Sequence, residues 1–348
     1  MSKISIALCT YNGAEFLKQQ LESYIIQTKL PDEVVIGDDC STDETVEIIE
    51  EFKQKSPFPV YLHINEKNLG STENFERTIL RCTGDIIYLS DQDDIWLPEK
   101  IAVIEEVFAA NSDVGLVFSD AALIDEKGKL LKSNLWDFTF TKRERNYLNN
   151  GKSLEVLLKR NVVTGATTAF RTELSSLFTP IDKTIPDLIH DGWIAIIAVL
   201  YSRITFVNKC LILYRQHENQ QLGVDWKTKK KITVDLLFKF SRKTEDRSKY
   251  FNRSIGNVHK EIDRFNETIK FLKNRELSKN SSDIFEKLNQ ESLAEKLNQI
   301  AHLEVRRELP KNRLKRIYPI TKEIFTKRYH IYSRGIYGIG RDFFEKWK

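Results

Sequence analysis

What most limits the fold of this chain is a repeated alternation across its first 120 residues. The apolar runs in KISIALCTY, DEVVIGDD, PVYLHIN and DIIYLSD each end in a polar cluster, and helical periodicity follows each of them. In GAEFLKQQLESYIIQ, for instance, Phe16, Leu17, Leu21 and Ile25 fall at helical spacing. STDETVEIIEEFKQK, STENFERTILRC and PEKIAVIEEVFAAN read as the further helices, and VGLVFSD as another strand. Strands separated by helices predict an α/β domain with a mostly parallel, doubly wound sheet flanked by helices. In such sheets ligands bind beyond the carboxyl ends of the strands.

The polar clusters stand at those ends. Thr10, Tyr11 and Asn12 follow the first run, Asp38 and Asp39 the second, Asn68 and Gly70 the third, and Asp91, Asp93 and Asp94 the fourth. One cluster would mean little, but four converging on one sheet edge predict a site. Asp91 and Asp93, two apart, would point the same way at an extended strand end. That suits two carboxylates sharing a hard divalent cation, which in turn holds phosphate oxygens. Taken alone, the same D-x-D-D stretch is equally a polar turn capping a helix that begins near Pro98. Ser41 and Glu44 form an S-x-x-E pattern that predicts a capping box, compatible with Asp39 being presented to a base or a ribose. The turn at Asn12 and Gly13 leads into a helix N-terminus, a favourable place for a base or phosphate. Neither G-x-G-x-x-G nor G-x-x-x-x-G-K-[ST] occurs there, which argues against dinucleotide oxidoreductases and P-loop ATPases.

Charge divides the chain near residue 225. Residues 225–348 hold 31 Lys and Arg against 17 Asp and Glu (+14), whereas the first 224 hold 23 against 33 (−10). The expected division is an α/β domain over 1–222 and a basic helical region over 223–348. In that region DWKTKKKITVDLLFKFSRK and the stretch to about 308 read as helices, with Ile262, Phe265, Ile269 and Leu272 on one face. KNSSD at 279–283 reads as an interhelical loop. Three uses of the basic region stay open: a solvated appendage or homodimer interface, contact with anionic lipid headgroups, or nucleic acid, for which no accompanying motif exists. No run reaches the ~18 apolar residues needed to span a bilayer, and ISIALC is too short for a signal-peptide core. The four cysteines lack C-x-x-C spacing and read as reduced thiols. A cytoplasmic protein is expected, at most peripheral on the inner face of the plasma membrane.

Seven segments in this order, ALCTYNGAEFL, VVIGDDCSTDET, NLGSTENF, LSDQDD, TGAT, HDGW and YRQHENQ, resemble the family 2 glycosyltransferases of the GT-A fold. The resemblance covers residues 3 to about 222 and is strongest to rhamnosyltransferase-like members that build bacterial surface polysaccharides. It implies an inverting, non-processive transferase moving a sugar from a dTDP- or UDP-sugar to a glycan or lipid-linked hydroxyl, with Mn²⁺ or Mg²⁺ as cofactor. By this analogy Thr10, Tyr11, Asn12, Glu15, Asp38, Asp39, Asn68, Gly70, Asn74, Asp91 and Gln92 would form the nucleotide site. Asp91-Gln92-Asp93 would be the D-x-D motif, with Asp93 the direct metal ligand and His217 a further one. Asp191 would be the general base that takes the acceptor's proton. Asp94, Trp96, Thr164, Gly165, Ala166, His190, Trp193 and Arg215 would border the donor and acceptor pocket, Arg215 as a phosphate partner. Many relatives carry Glu where this chain has His190; without the resemblance, His190 and Asp191 read as the cap of an apolar helix. Two rivals remain: a sugar-phosphate nucleotidyltransferase, whose basic Gly-rich loop CTYNGAEFLK lacks, and an inactive membrane-associated scaffold, which need not keep Asp39, Asp91, Asp93 and Asp191 together.

Overall fold

The computed structural model describes residues 2–181, 188–217, 220, 247–274, 282–333 and 336–344. The chain divides into two compact units, Met1–Trp226 and Lys227–Lys348. In the first, β1 (Ile4–Thr10), α1 (Ala14–Ile25), β2 (Glu33–Asp38), α2 (Thr45–Lys55), β3 (Val60–Ile64), α3 (Ser71–Ile79) and β4 (Ile86–Asp91) carry the alternation seen in the sequence. There follow β5 (Ile95–Trp96), α4 (Lys100–Ala110), β6 (Val114–Ile124), β7 (Leu130–Asn134), α5 (Trp136–Thr139), α6 (Lys142–Asn149), α7 (Ser153–Lys159), β8 (Thr168–Arg171), α8 (Ser175–Phe178), α9 (His190–Tyr201) and β9 (Arg203–Arg215).

These strands build one sheet in the order β3-β2-β1-β4-β8-β6-β9-β5, with β7 paired to β6. The half β3-β2-β1-β4 is parallel. Its inner strands β1 and β2 are buried along their whole length, as strands covered on both faces must be. Beyond β4 the sheet is mixed: β8 runs antiparallel to β4 and β6, β5 antiparallel to β9, and β6 parallel to β9. The expectation of a mostly parallel sheet therefore holds for its first half. The β6–β7 hairpin reverses the chain, and β8 enters the sheet in the reversed direction.

Local signals decided less than expected at two places. The capping box predicted at Ser41 and Glu44 does not form. Asp43 instead accepts the backbone N–H (3.1 Å) and hydroxyl (2.5 Å) of Thr45 at the start of α2, while Ser41 donates its hydroxyl to Asp38. A complete box occurs at Thr141 and Glu144, opening α6. The D-x-D-D stretch is likewise no extended strand: β4 ends at Asp91 and the chain turns through Gln92 and Asp93.

The second unit holds α10 (Arg247–Asn274), α11 (Ser282–Arg307), α12 (Ile317–Phe325), α13 (Arg328–Tyr332) and α14 (Ile336–Phe344). Ile262 packs against a cluster of Phe251, Ile255, Val258, Ile300 and Leu303, and Phe265 and Ile269 are buried on the same helix. The side chain of Leu272 and the predicted helix over 225–243 lie outside the described residues, as do 279–281; Ser282, read as loop, already begins α11. Buried His302 bridges Glu323 (2.6 Å) and Ser333 (2.8 Å), and Arg306 pairs with Asp342, so polar contacts tie α11 to the helices after it. No described helix is long and apolar enough to cross a membrane.

Candidate functional site

The strand ends converge as the polar clusters demand. A cleft of about 1020 Å³ opens at the carboxyl ends of β1, β2 and β4. Thr10, Tyr11, Asn12, Glu15, Asp39, Asn68, Gly70, Asn74, Asp91, Gln92, Asp93 and His217 line one part of it, and Thr164, Gly165, His190 and Asp191 another. Asp38, Asp94, Trp96, Ala166, Trp193 and Arg215 do not line it, and each has an evident reason.

Asp38 is fully buried and accepts from the Thr10 hydroxyl (2.7 Å), the Ser41 N–H (2.9 Å) and the Ser41 hydroxyl (2.6 Å). It holds the β1 and β2 loops together. Its neighbour Asp39 faces the cleft, accepting from Leu69 N and Gly70 N (both 2.8 Å) and from Asn65 Nδ2 (3.0 Å). That carboxylate fixes the loop carrying Asn68, where Gly70 takes a φ of 82° that favours glycine. Asn74 is tied to Gly37 O and Asn65. Asn12 adopts a left-handed φ of 46°, with its side chain accepting from Thr42 N. Gln92 binds both main-chain groups of Tyr11, at 2.8 and 3.0 Å. A Cβ on Gly13 would stand 2.2 Å from Gln92 Oε1, so any larger residue there would push this amide aside.

The acidic turn after β4 divides by neighbour. Asp94 is buried and accepts from Arg215 N (3.0 Å), anchoring the turn to β9. Trp96 is core, edge-on to Tyr24 at 5.0 Å and beneath the Lys100 ammonium at 3.5 Å. Lys100 in turn donates to Ala166 O (2.7 Å), which turns Ala166 to the interior. Arg215, expected to meet phosphate, is completely buried. It donates to Asp93 O (2.8 Å), Glu126 O (3.0 Å) and Gln19 Oε1 (2.6 Å), so its guanidinium braces the turn from behind. Asp91 and Asp93 are left toward the cleft, Asp93 meeting His217 Nε2 at 2.7 Å. Burial first, then the charges of Asp93 and Asp191, push the Asp91 carboxyl above its ordinary range. Such a group is relieved by a cation. The donors suit Mg²⁺ or Mn²⁺. Among the described residues no three His, Cys, Asp or Glu side chains form a cage of their own, so a metal here would need further oxygens from its ligand.

Across the cleft, α9 presents Asp191 in its first turn. Asp191 Oδ1 accepts from Asn161 Nδ2 (2.8 Å) and Gly192 N (2.6 Å), and Oδ2 from Gly165 N (3.0 Å). Burial pushes its carboxyl up to about 6 although these donors pull the other way. His190 stacks on Phe75 at 4.1 Å, and burial pushes it down to about 3, a neutral imidazole. Trp193, three residues on, points away and donates to Phe178 O. Asn161, Phe75 and Phe16, which packs at 5.0 Å on His217, were not singled out from the sequence. Phe16 and Phe75 sit in helical apolar patterns that look like core, and Asn161 lies in a loop without periodicity.

Residues 5–173 match the family described as glycosyl transferase family 2. The chain is 26% identical over 259 residues to the dTDP-rhamnosyl transferase RfbG of Shigella flexneri, covering 72% of this chain and 83% of that protein. It is 28% identical over 218 residues to an uncharacterized glycosyltransferase of Nostoc sp., covering 62% of this chain and 65% of that one, just under two thirds of its length. Among solved structures, the mannosyltransferase PcManGT from Pyrobaculum calidifontis in complex with GDP-Man and Mn²⁺ superposes with a TM-score of 0.50 at 15% identity, covering 98% of this chain and 86% of that one. The likeness shows a GT-A-like fold.

Proposed function

From a chain whose residues 5–173 are a glycosyl transferase family 2 domain, we propose an inverting, metal-dependent transferase that moves one sugar per encounter from a nucleotide diphosphate to a glycan or lipid-linked hydroxyl in bacterial surface polysaccharide synthesis. The observation that carries this reading is the placement of Asp191 across the same cleft as Asp91, Asp93 and Asp39. Its Oδ2 accepts only one hydrogen bond among the described residues, and its raised pKa suits proton abstraction near neutral pH. Tyr11 and Asp39 hold the nucleoside, with Asp39 keeping its loop in shape. Asp91 and Asp93, with His217 beside them, would hold a divalent cation together with oxygens of the donor, and that cation would supply charge neutralisation for the departing diphosphate. Asp191 takes the acceptor proton as its oxygen attacks the anomeric carbon from the face opposite the leaving group, giving inversion. The relationship to a dTDP-rhamnosyl transferase supports a dTDP- or UDP-sugar donor, and the GDP-Man and Mn²⁺ in a structural neighbour support a metal and widen the donors to be tried.

The test is a transfer screen with dTDP-, UDP- and GDP-sugars, with and without Mn²⁺, scored by nucleotide diphosphate release and product anomer. Metal-dependent release with an inverted product is expected. Failure of every donor to bind in the presence of metal overturns the reading.

A further inference from the structure

The basic region carries a surface that the transferase chemistry does not use. The inner face of α12 is accounted for: Ile320 packs with Leu309 and Tyr329, and Ile324 against them. Its outer face is also apolar, yet nothing covers it among the described residues. Leu314 is 73% exposed, Tyr318 78% and Phe325 84%, with Ile317 half-exposed beside them. Tyr318, Thr321 and Phe325 follow one another along α12 at spacings of three and four, and Leu314, in the 3-10 turn Leu314–Arg316 that leads into α12, stands four residues before Tyr318 and continues the stripe. The one polar member does not break it, because the Thr321 hydroxyl donates to Ile317 O within the helix. Exposed Phe344 extends the patch from α14: its carbonyl accepts from Arg313 at 2.8 Å, which sets the two segments side by side.

From Lys311 to Lys327 every exposed charged side chain is basic. Lys311, Lys315, Lys322 and Lys327 are exposed and make no ion pair among the described residues. Glu323, the acid of α12, is buried and held by His302 and Arg328. Large apolar side chains standing out of a ring of unpaired ammonium groups are the signature of a helix that lies in a bilayer interface, where anionic headgroups meet the lysines and the rings sit at headgroup depth. The field of residues 225–348, at +14, points the same way. A second copy of this chain fits poorly, since a self-complementary contact would set these lysines against one another. Nucleic acid would leave Leu314, Ile317 and Phe325 without a counterpart.

We propose that the stripe of Leu314, Tyr318 and Phe325, with Lys315 and Lys322 at its flanks, is a docking surface for an anionic lipid bilayer. This deepens the reading of a lipid-linked acceptor, but its test does not depend on transfer. The full-length chain, without nucleotide or acceptor, is sedimented with vesicles of phosphatidylcholine containing about 30% phosphatidylglycerol and with vesicles of phosphatidylcholine alone. Binding to the anionic vesicles only is expected, falling about tenfold or more in Leu314→Ser/Tyr318→Ser/Phe325→Ser and again at about 0.5 M NaCl. Lys315→Glu/Lys322→Glu, which leaves every apolar group in place, should lose binding to a similar degree. Equal binding by either variant, or no wild-type binding to anionic vesicles, overturns the proposal. So does a wild-type dimer in sedimentation velocity that the triple substitution dissolves, which would make the stripe a self-contact.

Discussion

Replacing Asp191 with asparagine separates catalysis from stability, because the two consequences differ in size and in sign. Burial raises this carboxyl from 3.8 to about 6. At 1.36 kcal/mol per pH unit, keeping it ionised in the fold at pH 7 costs about 3 kcal/mol. The folded value lies above the unfolded one, so stability is highest below pH ~4, falls as pH rises through about 6, and is level above that. Asparagine removes this cost but turns one acceptor into a donor. With its carbonyl serving Asn161 Nδ2 and Gly192 N, its amide faces Gly165 N. One lost bond and one orphaned donor cost about 1–3 kcal/mol. The terms nearly cancel: Asp191→Asn should stay within about 2 kcal/mol of wild type at pH 7 and lose this pH slope. Turnover behaves differently, because loss of a general base lowers kcat by about 10²–10⁴. Urea titrations at several pH values, initial rates of diphosphate release and calorimetric donor binding measure the three quantities. Turnover within tenfold of wild type, or a loss of donor affinity matching the loss in rate, would refute the assignment of Asp191 as base.

Wild-type kcat/KM should fall on the acid side through about pH 6, where Asp191 takes up its proton. Gly13→Ala drives a methyl into the Gln92 amide. Two bonds to the Tyr11 main chain go with it, and donor KM should rise about tenfold, read by donor titration. Arg215→Met removes the donor of three oxygens around the turn, those of Asp93, Glu126 and Gln19, and should lower stability by about 1–3 kcal/mol, read by urea denaturation. EDTA, or Asp93→Asn, should abolish metal-dependent donor binding in calorimetry, and Mn²⁺ should restore it to the chelated wild type but not to the variant.

Much of the first unit is written in local pattern. The apolar runs and the helical spacing of Phe16, Leu17 and Leu21 act over a few residues, so β1 to β4 and the helices between them were legible, and with them the strand-end positions of Asp39, Asp91 and Asp93. The resemblance that the family match over residues 5–173 bears out was carried by the same segments, since their order along the chain is itself information. Pattern could not say which of two adjacent side chains would face the cleft. Asp38 and Asp39 look alike in sequence, as do Asp93 and Asp94. A hydroxyl on Thr10 and a main-chain N–H on Arg215, 28 and 121 residues away from their partners, make one of each pair into scaffold. Arg215 reads as a phosphate ligand until the carbonyls of Asp93 and Glu126 close around it. Trp96 and Trp193 read as pocket walls until Tyr24 and Phe178 claim them. The antiparallel entry of β8, the partnership of Asn161 with Asp191 and the uncovered face of α12 are likewise matters of long-range packing. Hydrogen-bond donors and apolar surface find their partners in space, and sequence separation says nothing about which partners those will be.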